Sequence, residues 1–200
     1  MLFREAACCA MAPSEHNKKE IFVKLIQNLI ATLEHCIPDL DTTPLSSALP
    51  AGTEQHTVLA WLHTHLSTQR LMTYKEWNEY SGEIPDLAPL AALSLTETPA
   101  DFIYGQLENI DWSTASIDPA ELPYILPWLE HLNFYLQPSG LRLVDLLPFE
   151  NAYIFCVRDD EALLEKLNAD LQAFGMGIND RPAMDQQQVA DEIASMITPP

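Results

Sequence analysis

The chain has 200 residues, with 29 Asp and Glu against 10 Lys and Arg, for a formal net charge of −19. That balance excludes a general binder of nucleic acid or of anionic membrane, since both need a basic footprint. With 48% hydrophobic and only 20% charged residues, the chain is too apolar for a disordered acidic tail, and a folded protein is expected.

The length suits one domain or two small ones sharing a core, and the boundaries read here are a flexible tail over 1–13 and a single domain over 14–200. Small residues precede Cys8 and Cys9, as in a lipoprotein signal. The apolar stretch of about 7–15 residues that a signal peptide needs is missing, and Glu5 interrupts the candidate. No run approaches the ~20 apolar residues of a membrane span. A cytoplasmic location without membrane contact is therefore expected, with Met11 as an alternative start. The four cysteines show no zinc or redox spacing, so reduced thiols are expected, with Cys36 and Cys156 acting as small buried hydrophobes.

Asn17-Lys18-Lys19-Glu20 has the pattern of a helix-capping box, and Ile21, Phe22, Leu25, Ile26, Leu29, Ile30 and Leu33 then recur at helical spacing until Pro38. Pro38, Pro44, Pro50 and Gly52 mark a loop. A second helix is predicted over about 54–71, with Val58, Leu59, Trp61, Leu62 and Leu66 on its apolar side and His56 and His63 sharing a face. The seven-residue histidine spacing does not suit a helical zinc pair, so no metal is expected. Thr73-Tyr74-Lys75-Glu76 repeats the capping pattern and predicts a short helix carrying Trp77 and Tyr80, stopped by Gly82. Residues 83–97 fit no element. Thr98-Pro99-Ala100-Asp101 predicts a helix through Phe102, Ile103 and Leu107, and Asp118-Pro119-Ala120-Glu121 another, which Pro123 and Pro127 must kink or split. Leu141 to Leu147 and Ala152 to Val157 read as strands of an antiparallel hairpin near 141–158, with helices needed to cover at least one side. A helix from Asp159 to Gly175 and a last one over about 184–197 follow. The fold class expected is α+β, mostly helical. Its core should draw on Phe22, Leu25, Ile26, Leu29, Leu62, Leu66, Leu129, Leu143, Tyr153, Phe155, Leu164 and Leu167.

Glycine-rich phosphate loops and the short signatures of serine hydrolases, zinc metalloproteases and zinc ribbons are absent from the sequence, and no cofactor is expected. Asp159-Asp160-Glu161 is the densest acidic cluster, better suited to a helix first turn than to a cation loop. The charge is unevenly spread: between Lys75 and Arg142 there is no basic residue, while eleven acids alternate with Trp77, Tyr80, Phe102, Tyr104, Trp112, Tyr124 and Trp128. An acidic surface with aromatic anchors suits capture of a basic protein, with Glu108, Asp111, Trp112, Asp118 and Glu121 as the candidate contact residues.

From about Leu107 to Gly175 the order Asp111-Trp112, a leucine-rich helix, Gly140-Leu141-Arg142-Leu143, then Asn151-Ala152-Tyr153-Ile154 resembles a family of uncharacterised bacterial proteins. In that family, a domain of unknown function, Asp-Trp-Lys and Asp-Ser-Tyr steps flank two strands. This chain departs from it at Ser113 and at Asn151-Ala152. The resemblance implies a strand-strand-helix order and no activity. In size and charge the chain is also similar to the immunity proteins that neutralise bacterial toxins. The function expected is a non-enzymatic interaction protein, such as an inhibitor of that kind, presenting an acidic face to a basic partner. The alternative is an enzyme or small-ligand binder with a cleft lined by Asp111, Trp112 and Tyr153.

Overall fold

The computed structural model describes residues 15–91, 93, 99–112 and 117–197. The N-terminal tail, Thr98 and Ser113 lie outside them. In chain order the elements are α1 (Glu15–Cys36), α2 (Thr43–Ser47), α3 (Gln55–Thr68), β1 (Met72–Lys75), α4 (Pro99–Glu108), α5 (Leu122–Ile125), α6 (Trp128–Leu136), β2 (Leu141–Leu147), β3 (Ala152–Arg158), α7 (Glu161–Gln172), β4 (Gly177–Asn179) and α8 (Gln186–Ile197). The expected α+β class and its mostly helical character hold.

The hairpin β2–β3 forms as expected, and it is the centre of a four-stranded antiparallel sheet of order β1-β3-β2-β4. Because side chains alternate along a strand, the two central strands feed two separate cores. Val144, Leu146, Phe155 and Val157 meet α1, α2, α3 and α7 on one face. Leu143, Ala152, Ile154 and Cys156 meet α4, α6 and α8 on the other. Both faces are thus covered, which is why β2 and β3 read as nearly continuous apolar runs. Of the expected core, Phe22, Leu25 and Tyr153 are only partly buried, packed against the first cluster.

Two local expectations need correction, and one strand was not foreseen. Thr73 to Glu76 does not cap a helix. Met72–Lys75 is a strand paired along β3, with Tyr74 opposite Tyr153, and Trp77–Glu79 is a single 3-10 turn. The pairing with β3 supplies the backbone partners that a capping box would have supplied, so tertiary context overrides the local signal. Asn17 does not begin α1, because the chain is already helical at Glu15. After Gly175, where the sequence reading places no element, Gly177–Asn179 adds a fourth strand against Asp145 to Leu147. The prolines act as anticipated, with Pro119–Glu121 a 3-10 turn and Pro127 separating α5 from α6.

The acidic run at the start of α7 is fully accounted for. The Asp160 carboxylate accepts from the backbone N–H groups of Ala162 (3.0 Å) and Leu163 (3.1 Å), while Asp159 and Glu161 pair with Arg142 at 2.6 and 2.7 Å. A second ionic knot ties the β4–α8 connection to the sheet. Half-buried Arg181 reaches Asp145 (2.6 Å) and Glu130 (2.9 Å) and stacks 5.1 Å from the Trp77 ring centroid. Beneath it the Asn133 amide clamps β2, accepting from Leu143 N–H at 2.6 Å and donating to Leu143 C=O at 2.9 Å.

Candidate functional site

The five candidate contact residues are all exposed: Glu108 ends α4, Asp111 and Trp112 follow it, Asp118 accepts from the Ala120 N–H at 2.9 Å, and Glu121 precedes α5. Trp112 keeps 39% of its surface accessible and Tyr124 51%, whereas Trp77, Tyr80 and Trp128 are core. The aromatics therefore divide into structural ones and a few available as anchors. None of the concavities described below is lined by Asp111 or Trp112, and Tyr153 lies in one that contains neither.

That concavity was not anticipated. It opens beside the Pro148–Asn151 turn, has a volume of about 360 Å³, and is lined by Tyr74, Tyr153, Phe149, His56, Glu150 and Asn151, among others. Each wall has a local cause. Tyr74 and Tyr153 are register partners on β1 and β3, so their rings meet at 5.2 Å on the face that α3 covers. Phe149 packs on Tyr153 at 5.5 Å. His56 and His63 do share a face of α3, and that face meets Phe149 (6.3 Å) and Tyr153 (5.6 Å). Asn151 fixes the rim by donating to the Tyr74 hydroxyl at 3.0 Å.

A second concavity, of about 510 Å³, adjoins the first through Glu150 and Asn151 and adds Glu76, Asn78 and Tyr124. It forms because α5 packs against the Trp77–Glu79 turn. The Tyr74 hydroxyl is pushed above the usual tyrosine value by partial desolvation and then by the neighbouring Glu76 charge. Glu150 lines both hollows and Glu76 the second, so carboxylates stand on the rim they share. Of this site the acid–aromatic alternation held only Glu76 and Tyr124, and the other members come from β1, α3, β3 and the β2–β3 turn. Only the β1–β3 register brings them together.

Of the described Lys and Arg residues beyond α1, all but Arg158 are engaged with acids. Lys75 pairs with Glu83 (2.6 Å), Arg70 with Asp86, Arg142 with Asp159 and Glu161, Lys166 with Asp170 (2.9 Å), and Arg181 with Glu130 and Asp145. Among the described residues Glu76, Glu79, Asp101, Glu108, Glu121 and Glu150 enter no ion pair.

The two described thiols, Cys36 and Cys156, are both buried. Burial raises Cys36 to about 11 and Cys156 to about 12, so both stay protonated and inert at neutral pH. Among the described residues no cluster of three or more His, Cys, Asp or Glu is arranged to hold a metal ion, and no helix is long and apolar enough to cross a membrane. No protein-family model, curated protein or solved structure matches the chain.

Proposed function

We propose that the protein is a non-enzymatic interaction protein, of the kind that inhibits a basic partner such as a toxin by covering it with an acidic face. The observation that carries this reading is the charge inventory. From Lys75 onward Lys75, Arg142, Lys166 and Arg181 are held in internal ion pairs and Arg158 donates to the His35 carbonyl, while among the described residues the exposed Glu76, Glu79, Asp101, Glu108 and Glu121 enter no ion pair. Such a surface accelerates encounter with a basic partner by long-range attraction, and Trp112, Tyr124 and Tyr74 supply apolar area for desolvated contacts. The catalytic alternative at Asp111 and Trp112 draws no support from the geometry, which gives those residues no shared concavity with Tyr153.

The test is retention of a basic protein from bacterial lysate on the immobilised full chain. Retention is expected at low salt, with loss at high salt and weakening by Glu108→Gln, Asp111→Asn and Glu121→Gln together. Retention indifferent to both salt and these changes, or no retention at all, overturns the reading.

A further inference from the structure

We propose that the aromatic hollow at the Pro148–Asn151 turn is a receptor for one cationic side chain, an alkylammonium of the lysine type, projecting from the basic partner. The inference rests on the reading of the chain as a binder of basic partners and locates where on its surface that partner is gripped.

The argument is one of matching chemistries. Tyr74, Tyr153 and Phe149 form three aromatic walls whose edges and faces meet within 5.2–5.5 Å, and aromatic faces attract cations through their ring quadrupole. Tyr74 is 39% exposed, so its ring is accessible to an incoming group. Glu150 sits on the rim shared with the adjoining hollow, and Glu76 lies across that hollow. Neither carboxylate enters an ion pair, and neither hollow is lined by Lys or Arg. Lys75, next in sequence to Tyr74, points to the opposite sheet face and is held by Glu83.

Other ligand classes fit worse. An anion would meet Glu150, and Glu76 in the adjoining hollow, with no Lys or Arg in either lining. A hard divalent cation wants six or more oxygen ligands, and these walls are mostly rings. A neutral apolar group would gain nothing from Glu150 and would cover its charge. An alkylammonium satisfies both parts at once: its methylene stem lies on the rings while its head reaches Glu150 or Glu76.

The experiment is an NMR titration of the full chain at about pH 8, where histidine is neutral. The probes are Nα-acetyl-lysine amide, its uncharged analogue Nα-acetyl-norleucine amide, and an octalysine peptide. The lysine amide should shift the backbone amides of Tyr74, Glu150 and Asn151, and the norleucine amide should not. Tyr74→Ala and Glu150→Gln should each weaken lysine-amide binding about three- to fivefold, whereas Glu165→Gln, exposed on α7 and in the lining of neither hollow, should leave it unchanged. Glu150→Gln, an exposed turn substitution, carries the test if Tyr74→Ala loosens the edge strand.

Equal shifts from the norleucine amide would make the hollow merely apolar and overturn the proposal. So would lysine shifts scattered over the surface and indifferent to both variants. In that second case, salt-sensitive octalysine binding would leave the acidic-face reading standing while the receptor site falls. A site that binds the lysine amide in a chain that retains no basic protein would show the reverse.

Discussion

Two glycines with the same backbone conformation separate strain from packing. Gly82 and Gly140 both have left-handed φ, +77° and +66°, where a side chain costs about 1–2 kcal/mol. A Cβ at Gly140 meets nothing within 4 Å, whereas one at Gly82 would run into the Trp128 ring and lie 3.0 Å from the Ala100 Cβ. Gly140→Ala should therefore cost only the strain, and Gly82→Ala a further amount of about 1–3 kcal/mol for overpacking. Urea unfolding of the two variants reads the difference directly, and equal losses would mean that Trp128 has room to move. Arg181 poses the opposite problem, removal instead of insertion. Without its guanidinium, Asp145 and Glu130 remain buried, and Glu130 Oε2 already lacks a hydrogen-bond partner. Arg181→Met should destabilise by about 3–5 kcal/mol at neutral pH. Burial pushes the Asp145 carboxyl above its ordinary value, with Arg181 pulling against it. Once Arg181 is gone the upward shift must grow. A group whose folded pKa is raised favours the folded state below its unfolded value and loses that contribution as pH rises through the folded one. The penalty of Arg181→Met should accordingly shrink on acidification toward the ordinary carboxylate range, and a penalty constant from neutral pH downward would show that Asp145 is not the strained group.

At the level of elements, the Asp160 cap is the simplest device to test. Asp160→Ala frees two N–H groups at the start of α7 and should cost about 1 kcal/mol, with Asp160→Asn recovering most of it. A silent alanine variant would mean that water caps α7 equally well. This cap was legible in the sequence because it is local: an acid three residues before the apolar periodicity needs no tertiary knowledge. The same is true of β2 and β3, whose largely apolar segments predict strands though not their burial on both faces, and of the split between α5 and α6 at Pro127. β1 and β4 were not legible. Met72–Lys75 has only four residues, and Gly177–Asn179 three. Each is a strand only because the edges of the β2–β3 hairpin offer it partners. The candidate contact residues show the same divide. Glu108, Asp111, Trp112, Asp118 and Glu121 were picked for proximity in sequence, and they are exposed as that reading requires. The hollow built by Tyr74, Phe149, Glu150 and Tyr153 spans about 80 positions and depends on a β1–β3 register that no local pattern encodes.

Over the whole molecule the dominant electrostatic fact is the charge of −19, which works against compactness because the acids repel one another wherever they are not paired. Two opposing trends follow on acidification. Protonation of exposed carboxylates relieves the repulsion and stabilises the fold. Against this, Asp41 is held below the usual carboxylate value by its hydrogen bonds from Thr43, and Glu83 is pushed up by burial but carried below that value by hydrogen bonds from Lys75 and Ser81. A depressed carboxylate contributes stability above its unfolded pKa and loses it as pH falls through the folded one. Stability should therefore pass through a maximum on the acid side of neutrality and then fall, and Glu83→Gln should flatten the acid limb. Salt separates the two contributions at fixed pH. Lowering the Debye length from about 30 Å at 0.01 M to about 10 Å at 0.1 M screens the many long-range repulsions far more than the few contacts at 2.6–2.9 Å, such as those of Arg142, Arg181 and Lys166. The thermal midpoint at pH 7 should rise with sodium chloride over that interval. A falling midpoint would mean that internal ion pairs, and not the uncompensated face, dominate the electrostatics. The acidic surface would then be too weakly charged to steer a basic partner, so this one melting series bears on the fold and on the proposed function together.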